Sequence, residues 1–276
     1  MSSIPVCLSI AGLDPSGGAG VIADVRTFSA FRCFPAAAVT SITFQNTSGV
    51  YGAINQTAAS VRGQVEPVLT DYSVASVKTG MLPTREVIAE TAQLLTGLSA
   101  PVVVDPVVRS TSGFDLIDAA ALRSLIELLF PIADLVTPNK VEAERITGIS
   151  IESVDDIASA SDVMRSMGAR NVLIKGGHAL PGSDPSRATD YLFLDDHLEI
   201  LEGKFIETTA THGTGCILSS AIAANLAHGK SLTEAVGAAK DFVARGIRNS
   251  PHLGHGNSPI DISFDYFATG TKTGDR

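Results

Sequence analysis

The feature that most restricts how this chain can fold is a repeated alternation: a short unbroken apolar run, a loop of polar and glycine residues, then a helical pattern. Ile4 to Ile10 runs into Gly12-Leu13-Asp14-Pro15-Ser16-Gly17-Gly18-Ala19-Gly20 and a helix to about Phe31. Ala36 to Thr43 ends in Phe44-Gln45-Asn46-Thr47-Ser48-Gly49 and is followed by a helix from about Thr57 to Leu69. Val74 to Val77 precedes Lys78-Thr79-Gly80-Met81 and a helix over Thr84 to Leu98, and Val102-Val103-Val104 closes on Asp105-Pro106 ahead of a helix over Ala119 to Leu129. Leu135-Val136 leads to Thr137-Pro138-Asn139-Lys140-Val141-Glu142 and a helix near Asp155 to Met167, and Val172-Leu173-Ile174 leads to Lys175-Gly176-Gly177-His178. Runs that are apolar at every position suit strands covered on both faces. The alternation therefore predicts an α/β fold with a mostly parallel sheet, helices on both faces and right-handed crossovers. Tyr191 to Leu194 and Leu198 to Leu201, around Asp195-Asp196-His197, predict a hairpin and so a small antiparallel edge. With 45% hydrophobic and only 18% charged residues over 276 positions, and no linker or repeat, one large domain is expected.

Ligands of such sheets bind beyond the carboxyl ends of the strands, and Asp14, Gln45, Met81, Asp105, Asn139 and Lys175 all fall there. The Gly-rich loop at 12–20 has neither the Gly-x-x-x-x-Gly-Lys-Ser/Thr nor the Gly-x-Gly-x-x-Gly spacing. Within it, Asp14 suits an Asx turn as well as it suits ligand contact. A second glycine cluster, His212-Gly213-Thr214-Gly215-Cys216, comes directly before Ile217, Leu218, Ala221, Ile222 and Leu226 at helical spacing, with Gly229 at the end. A helix from about Gly215 would offer unpaired N–H groups to phosphate oxygens, and the same positive end predicts a lowered pKa for the Cys216 thiol. The bland alternative is a small buried cysteine in a common loop.

A net charge of −9 without a basic cluster disfavours nucleic acid and anionic membranes as partners. Three scattered cysteines fit a reducing cytosol. No Lys or Arg precedes Arg26 and no apolar run reaches the ~20 residues of a membrane span, so a cytoplasmic protein is expected. His252 and His255 are the closest histidines, and no third ligand stands at a metal-like spacing.

Taken together, the chain resembles the hydroxymethylpyrimidine and phosphomethylpyrimidine kinases of thiamine biosynthesis, members of the ribokinase-like superfamily. The resemblance rests on Ala11 to Gly20, Gln45-Asn46-Thr47, Lys78-Thr79-Gly80-Met81, Asp105-Pro106-Val107, Thr137-Pro138-Asn139 with Glu142, Lys175-Gly176-Gly177-His178 and Thr211 to Cys216, with Gly254-His255-Gly256 and Pro259 near the end. It implies a three-layer ribokinase-like fold, with one kinase domain over 1–268 and a polar tail over 269–276. The implied activity is two successive ATP-dependent phosphorylations, of the hydroxymethyl group and then of the phosphate it bears. The resemblance places pyrimidine contacts at Gly12, Asp14, Asp24, Gln45, Met81 and Val107. It puts Cys216 at the acceptor hydroxyl as base or positioning thiol, with Gly213, Thr214 and Gly215 around the transferring group. Asn139, Glu142, Lys175 and His212 fall on the ATP side, and Asp105 and Glu142 reach Mg2+ through water. A homodimer is implied as well. Val108-Arg109 departs from the family's usual Met-Val, and the pair of histidines common near its C-terminus is missing around Ile260 to Phe267. Arg109 then either binds a phosphate or faces solvent. Three rival functions stay open: a pyridoxal or pyridoxine kinase, a Cys-His acyl transferase or hydrolase using His212 and Cys216, and a pyrimidine sensor without turnover.

Overall fold

Each apolar run becomes a strand because its alternate residues find separate cores. The computed structural model describes residues 4–109, 113, 115–177, 180, 184–195 and 197–263; the expected tail at 269–276, His178 and Asp196 lie outside them. In β1 (Val6–Leu13), Leu8 and Ile10 enter one core while Cys7 enters the other. The same split recurs in β5 (Val102–Val104), where Val102 and Val104 oppose Val103, and in β7 (Val172–Ile174), where Val172 and Ile174 oppose Leu173. This period of two, apolar on both faces, is what a sheet buried between two helical layers requires. Helices α2 (Ala58–Asp71), α3 (Arg85–Leu95), α4 (Ala119–Leu129), α5 (Lys140–Thr147) and α6 (Val154–Ser166) line the first core. Helices α1 (Gly20–Ala30), α7 (Thr214–Ala227) and α8 (Leu232–Arg248) line the second.

The remaining strands are β2 (Phe34–Asn46), β3 (Gly49–Asn55), β4 (Val74–Thr79), β6 (Leu135–Val136), β8 (Arg187–Phe193) and β9 (Leu198–Lys204). The sheet order is β3-β2-β1-β4-β5-β6-β7-β8-β9. Pairings from β2 through β7 are parallel, and β8 and β9 form the expected antiparallel edge. β1 lies between β2 and β4, so the chain reverses its direction of travel across the sheet there, and the loops after β1 and β4 open a crevice.

Four elements depart from the sequence expectation. β2 does not stop at Thr43 but continues through Gln45 to Asn46, and it turns into β3, a second antiparallel edge. Glycines at 49 and 52 and mostly exposed positions leave β3 without an apolar signature. α5 has only eight residues, several of them charged. α8 carries a readable signature, the Ser231–Glu234 capping box and buried Ala235, Val236, Ala239, Phe242 and Gly246 at helical spacing, yet the sequence reading omits it. On the β2–β3 hairpin, Ile42 pairs with Ile54 and Phe44 with Gly52, leaving Ile42, Phe44 and Ile54 as exposed apolar side chains. No helix among the described residues is long and apolar enough to cross a membrane.

Candidate active site

Two glycine loops, from opposite ends of the chain, lock together above β1 and β4. Gly213, the N-cap of α7, has φ +77°, and a Cβ there would stand 1.8 Å from the Gly18 carbonyl oxygen. A Cβ on Gly18 would in turn stand 2.3 Å from His212 Cδ2. Only bare backbone fits at either place. Asp14 fastens the contact: its carboxylate accepts Ser16 N–H at 2.8 Å, Ala19 N–H at 2.9 Å and His212 Nε2 at 2.7 Å. Burial works against the charge, but bonds from His212, Ser16 and Gln45 outweigh it and bring Asp14 down to about 2. With Asp14 ionised, His212 Nε2 carries the proton. The Asx turn and the cross-loop clamp are thus one device. His212, expected beside ATP, spends Nε2 on Asp14 and lies within 3.4 Å of Ser16 Oγ.

Cys216 is the third residue of α7 and half-buried. The N–H groups of this first turn have no partners within the helix, as an anion site needs. The expected lowering of its thiol pKa is not found. Burial pushes it up to about 11, the Asp105 and Asp24 carboxylates push the same way, and Lys78 with the Gly20 N–H only partly opposes them. The helix end alone does not decide the protonation state, because burial, with two carboxylates adding to it, outweighs it. No hydrogen bond joins His212 to Cys216 among the described residues, so the dyad a Cys-His acyl transferase relies on is not formed.

Asp24, expected at the pyrimidine, points inward. It is fully buried, accepts Lys78 Nζ at 2.9 Å on both oxygens, and takes Ser9 Oγ at 2.5 Å and Ser220 Oγ at 2.7 Å. Asp105, just beyond β5, accepts Lys175 Nζ at 3.0 Å and Thr137 Oγ1 at 3.1 Å, with Ser219 Oγ at 3.3 Å. Lys175 and Lys78 hold it low against the effect of burial. Lys175 also lies 3.9 Å from Glu142 Oε2, and a Cβ on Gly215 would be 3.2 Å from the Lys175 ammonium. Asn139 and Glu142 form the capping box of α5: Glu142 N–H donates to Asn139 Oδ1 at 2.9 Å and Asn139 N–H to Glu142 Oε2 at 2.7 Å. Burial, opposed by Lys175 and aided by Asp105, pushes the Glu142 carboxyl up to about 7.

Gln45 is half-buried beside the bulge where β2 leaves regular pairing with β3, on a strand rather than in a loop, and it helps to hold the Asp14 carboxyl low. Met81 is buried, its sulfur 3.0 Å from where a Cβ on Gly12 would stand. Val107 is half-buried beyond β5. Arg109 is exposed and shares Asp115 with Arg145, each at 2.9 Å, so it belongs to a surface ion cluster. The structure thus gathers the 12–20 loop, Gln45, Met81, Asp105, Asn139, Glu142, Lys175 and the start of α7 along one sheet edge. Lys78 and Thr137, named in the sequence motifs but given no role there, join them, as do Ser219 and Ser220, which lie within the apolar pattern of α7 and gave no local signal.

No group of three or more His, Cys, Asp or Glu stands ready for a metal among the described residues. Asp105 and Glu142 nevertheless supply two oxygen-bearing groups on one side of Lys175, which fits Mg2+, an ion that commonly takes one or two carboxylates, waters and substrate phosphates.

A family profile described as phosphomethylpyrimidine kinase matches residues 14–261. A hydroxymethylpyrimidine/phosphomethylpyrimidine kinase of Staphylococcus aureus is 40% identical over 259 residues, 93% of this chain and 92% of the relative. Among solved structures, the Staphylococcus aureus pyridoxal kinase in complex with AMP-PCP and pyridoxal superposes with TM-score 0.86 at 31% identity, covering 95% of this chain and 94% of that one. A phosphomethylpyrimidine kinase from Clostridium difficile 630 superposes at 0.77 with 38% identity, over 88% and 99%. Backbone likeness and sequence likeness rank these two oppositely, and backbone likeness alone reports fold rather than substrate.

Proposed function

The chain belongs to the phosphomethylpyrimidine kinase family, and on that premise we propose that it uses ATP to phosphorylate 4-amino-5-hydroxymethyl-2-methylpyrimidine and then the monophosphate so formed. The observation that carries this reading is the first turn of α7, which presents Cys216 and the N–H groups of Gly215 and Cys216 between two lysine–carboxylate pairs, Lys78–Asp24 and Lys175–Asp105. Phosphoryl transfer needs in-line placement and charge stabilisation more than covalent help. In the first step the hydroxymethyl oxygen attacks the γ-phosphorus, the bond from that phosphorus to the ADP oxygen breaks, ADP departs and the hydroxyl proton passes to Cys216 in its thiolate form; in the second an ionised phosphate oxygen attacks in the same way and no proton need move. Gly213 to Cys216 hold the oxygens of the transferring group, and Lys175 and Asn139 lie on the nucleotide side. Mg2+, held by Asp105 and Glu142 through water, would neutralise charge across the ATP phosphates.

Gln45 selects the ring. Its carboxamide sets a donor beside an acceptor, and an aminopyrimidine edge presents the complement, an amino group next to a ring nitrogen. Pyridoxal lacks that amino group. Met81, Val107 and Gly12 supply the apolar walls.

Incubation with ATP, Mg2+ and the hydroxymethylpyrimidine, with pyridoxal in parallel and products identified by mass, tests this reading. Pyrimidine mono- and diphosphate are expected, chelation of Mg2+ should stop both, and Gln45→Met should weaken pyrimidine binding by about 1–3 kcal/mol. Phosphorylation of pyridoxal alone would overturn the assignment, and pyrimidine binding without product would point to a sensor. The exposed Ile42, Phe44 and Ile54 face supports a homodimer. Sedimentation that finds only the 28.6 kDa chain at micromolar concentration would remove it.

A further inference from the structure

Thr47 and Gly256 stand 209 residues apart in the chain and are hydrogen-bonded in the fold. Thr47 and Ser48 form the two-residue turn between β2 and β3, closed by Asn46 opposite Gly49, and Gln45 lies two positions before Thr47. Two-residue hairpin turns prefer a residue of positive φ, usually glycine or asparagine. Neither Thr47 nor Ser48 has one. Inside the hairpin the Asn46 carboxamide accepts the Ser48 N–H at 2.9 Å, and further support comes from the segment 250–260 that follows α8. The Asn257 N–H donates to the Thr47 carbonyl at 2.8 Å and the Gly256 N–H to Thr47 Oγ1 at 3.3 Å. The approach is closer than side chains allow: a Cβ on Gly254 would stand 2.7 Å from Thr47 Cγ2, and one on Gly256 2.5 Å from the Thr47 carbonyl carbon. The next residue grips the other loop. Ser258 is buried, its N–H donates to the Thr209 carbonyl at 3.1 Å, and its own carbonyl accepts the His212 N–H at 3.3 Å. One peptide step, from Asn257 to Ser258, therefore joins the hairpin of Gln45 to the loop that opens α7. The segment is itself fixed. His252 at φ +50° is in a strained conformation that persists only where neighbours hold it, and Ser250 Oγ and Ser258 Oγ accept the N–H groups of His252 and Leu253. Past Ser258, Ile260 and Ile262 are buried in the second core, and the Asp261 N–H donates to the Gly246 carbonyl of α8 at 3.2 Å.

We propose that Thr47 is a positioning residue: gripped by Gly254, Gly256 and Asn257, it fixes the hairpin that carries Gln45 against the loop that opens α7, and so places the acceptor in line with the transferring phosphate. Gln45 moves with its hairpin, so a ring bound there stays bound while its hydroxymethyl group leaves the line of attack. Thr47 thus acts on turnover rather than on affinity. The catalytic part of this inference rests on the kinase reading, with Gln45 at the ring and Gly213 to Cys216 at the phosphate. The tie between the two loops does not.

The test pairs steady-state kinetics and pyrimidine calorimetry with amide exchange in the free protein. Thr47→Ala should lower kcat about fivefold, the scale of one net hydrogen bond, and leave the pyrimidine dissociation constant within about twofold. Thr47→Ser keeps the hydroxyl and should restore most of the loss. Gly256→Ala pushes the segment off the turn and should lower kcat by about 30-fold, short of the 10²-fold that about 1 Å at the reacting groups can cost, because the turn lies two residues from Gln45. Adding Thr47→Ala to Gly256→Ala should change nothing more, since a contact already broken cannot be lost twice. A merely structural contact would instead lower affinity along with turnover. In free Gly256→Ala, amide exchange should quicken in peptides covering 44–50 and 209–214 alike. Unchanged kcat in Thr47→Ala, a matching loss of pyrimidine affinity, or additive losses in the double variant would overturn the positioning role, and quickening confined to 250–258 would overturn the tie itself. Should Gly256→Ala fail to fold, Thr47→Ala and Thr47→Ser decide alone: a fall in kcat at constant affinity that serine reverses supports the proposal, and any other pattern refutes it. Exchange quickened in both loops of a protein that phosphorylates no pyrimidine would leave the tie standing and remove the kinase reading instead.

Discussion

Cys216→Ala is expected to lower turnover by about 10²-fold, the lower end of what a general base contributes, while the protein stays folded and binds the pyrimidine normally. The thiol is held up at about 11, so at neutral pH it is almost wholly protonated and only a small fraction begins the reaction as an anion. A loose transition state tolerates this, since the acceptor proton departs late. The sign of the pH dependence follows: burial and the two carboxylates disfavour the thiolate, and its fraction grows with each unit of pH up to about 11. Wild-type kcat/KM should therefore climb on the alkaline side, and the alanine variant should lack that climb. The helix N–H groups survive the substitution, and alanine suits a helix interior, so binding and folding are preserved. Equal turnover in the two proteins, or an equal alkaline slope, would take Cys216 out of the chemistry.

Gly213→Ala should do as much damage for a different reason. At φ +77° an L-residue costs about 1–2 kcal/mol, and the new Cβ would meet the Gly18 carbonyl, a backbone atom with no rotamer to retreat into. The two loops must move apart, and the start of α7 moves with them. A displacement of about 1 Å at reacting groups can cost 10²-fold, so turnover should fall by about that much and the melting temperature by several degrees. Thermal unfolding and single-turnover rates that match the parent protein would refute this.

The parallel sheet was legible in the sequence because its strands are apolar on both faces and end in polar loops, and those loops named most of the crevice in advance. β3 escaped because a strand that is half solvated and carries glycines at 49 and 52 has no apolar run. Gln45 was seen but misplaced, on a loop instead of a strand, since polar residues late in β2 look like its end. Cys216 was found by its neighbours in the chain, and its protonation was misjudged by the same means. Burial decides it first, and Asp105 and Asp24, which add to it, come from elements far away in sequence. Asp14 illustrates the limit well: an Asx turn is visible locally, whereas its His212 partner is 198 residues away and no spacing rule could supply it.

That distance has a bearing on how the protein comes into being. The His212 N–H donates to the Ser258 carbonyl and the Asn257 N–H to the Thr47 carbonyl, so the loop at His212 is held by chain from beyond α8. β1, β2 and β4 neighbour one another and belong to the first third of the chain, so the middle of the sheet has its partners early. The crevice does not. A chain emerging from the ribosome, or one cut short before Ser258, would possess every strand of the sheet and lack the clasp that brings Asp14, His212 and α7 into register. Assembly of the crevice therefore follows assembly of the sheet.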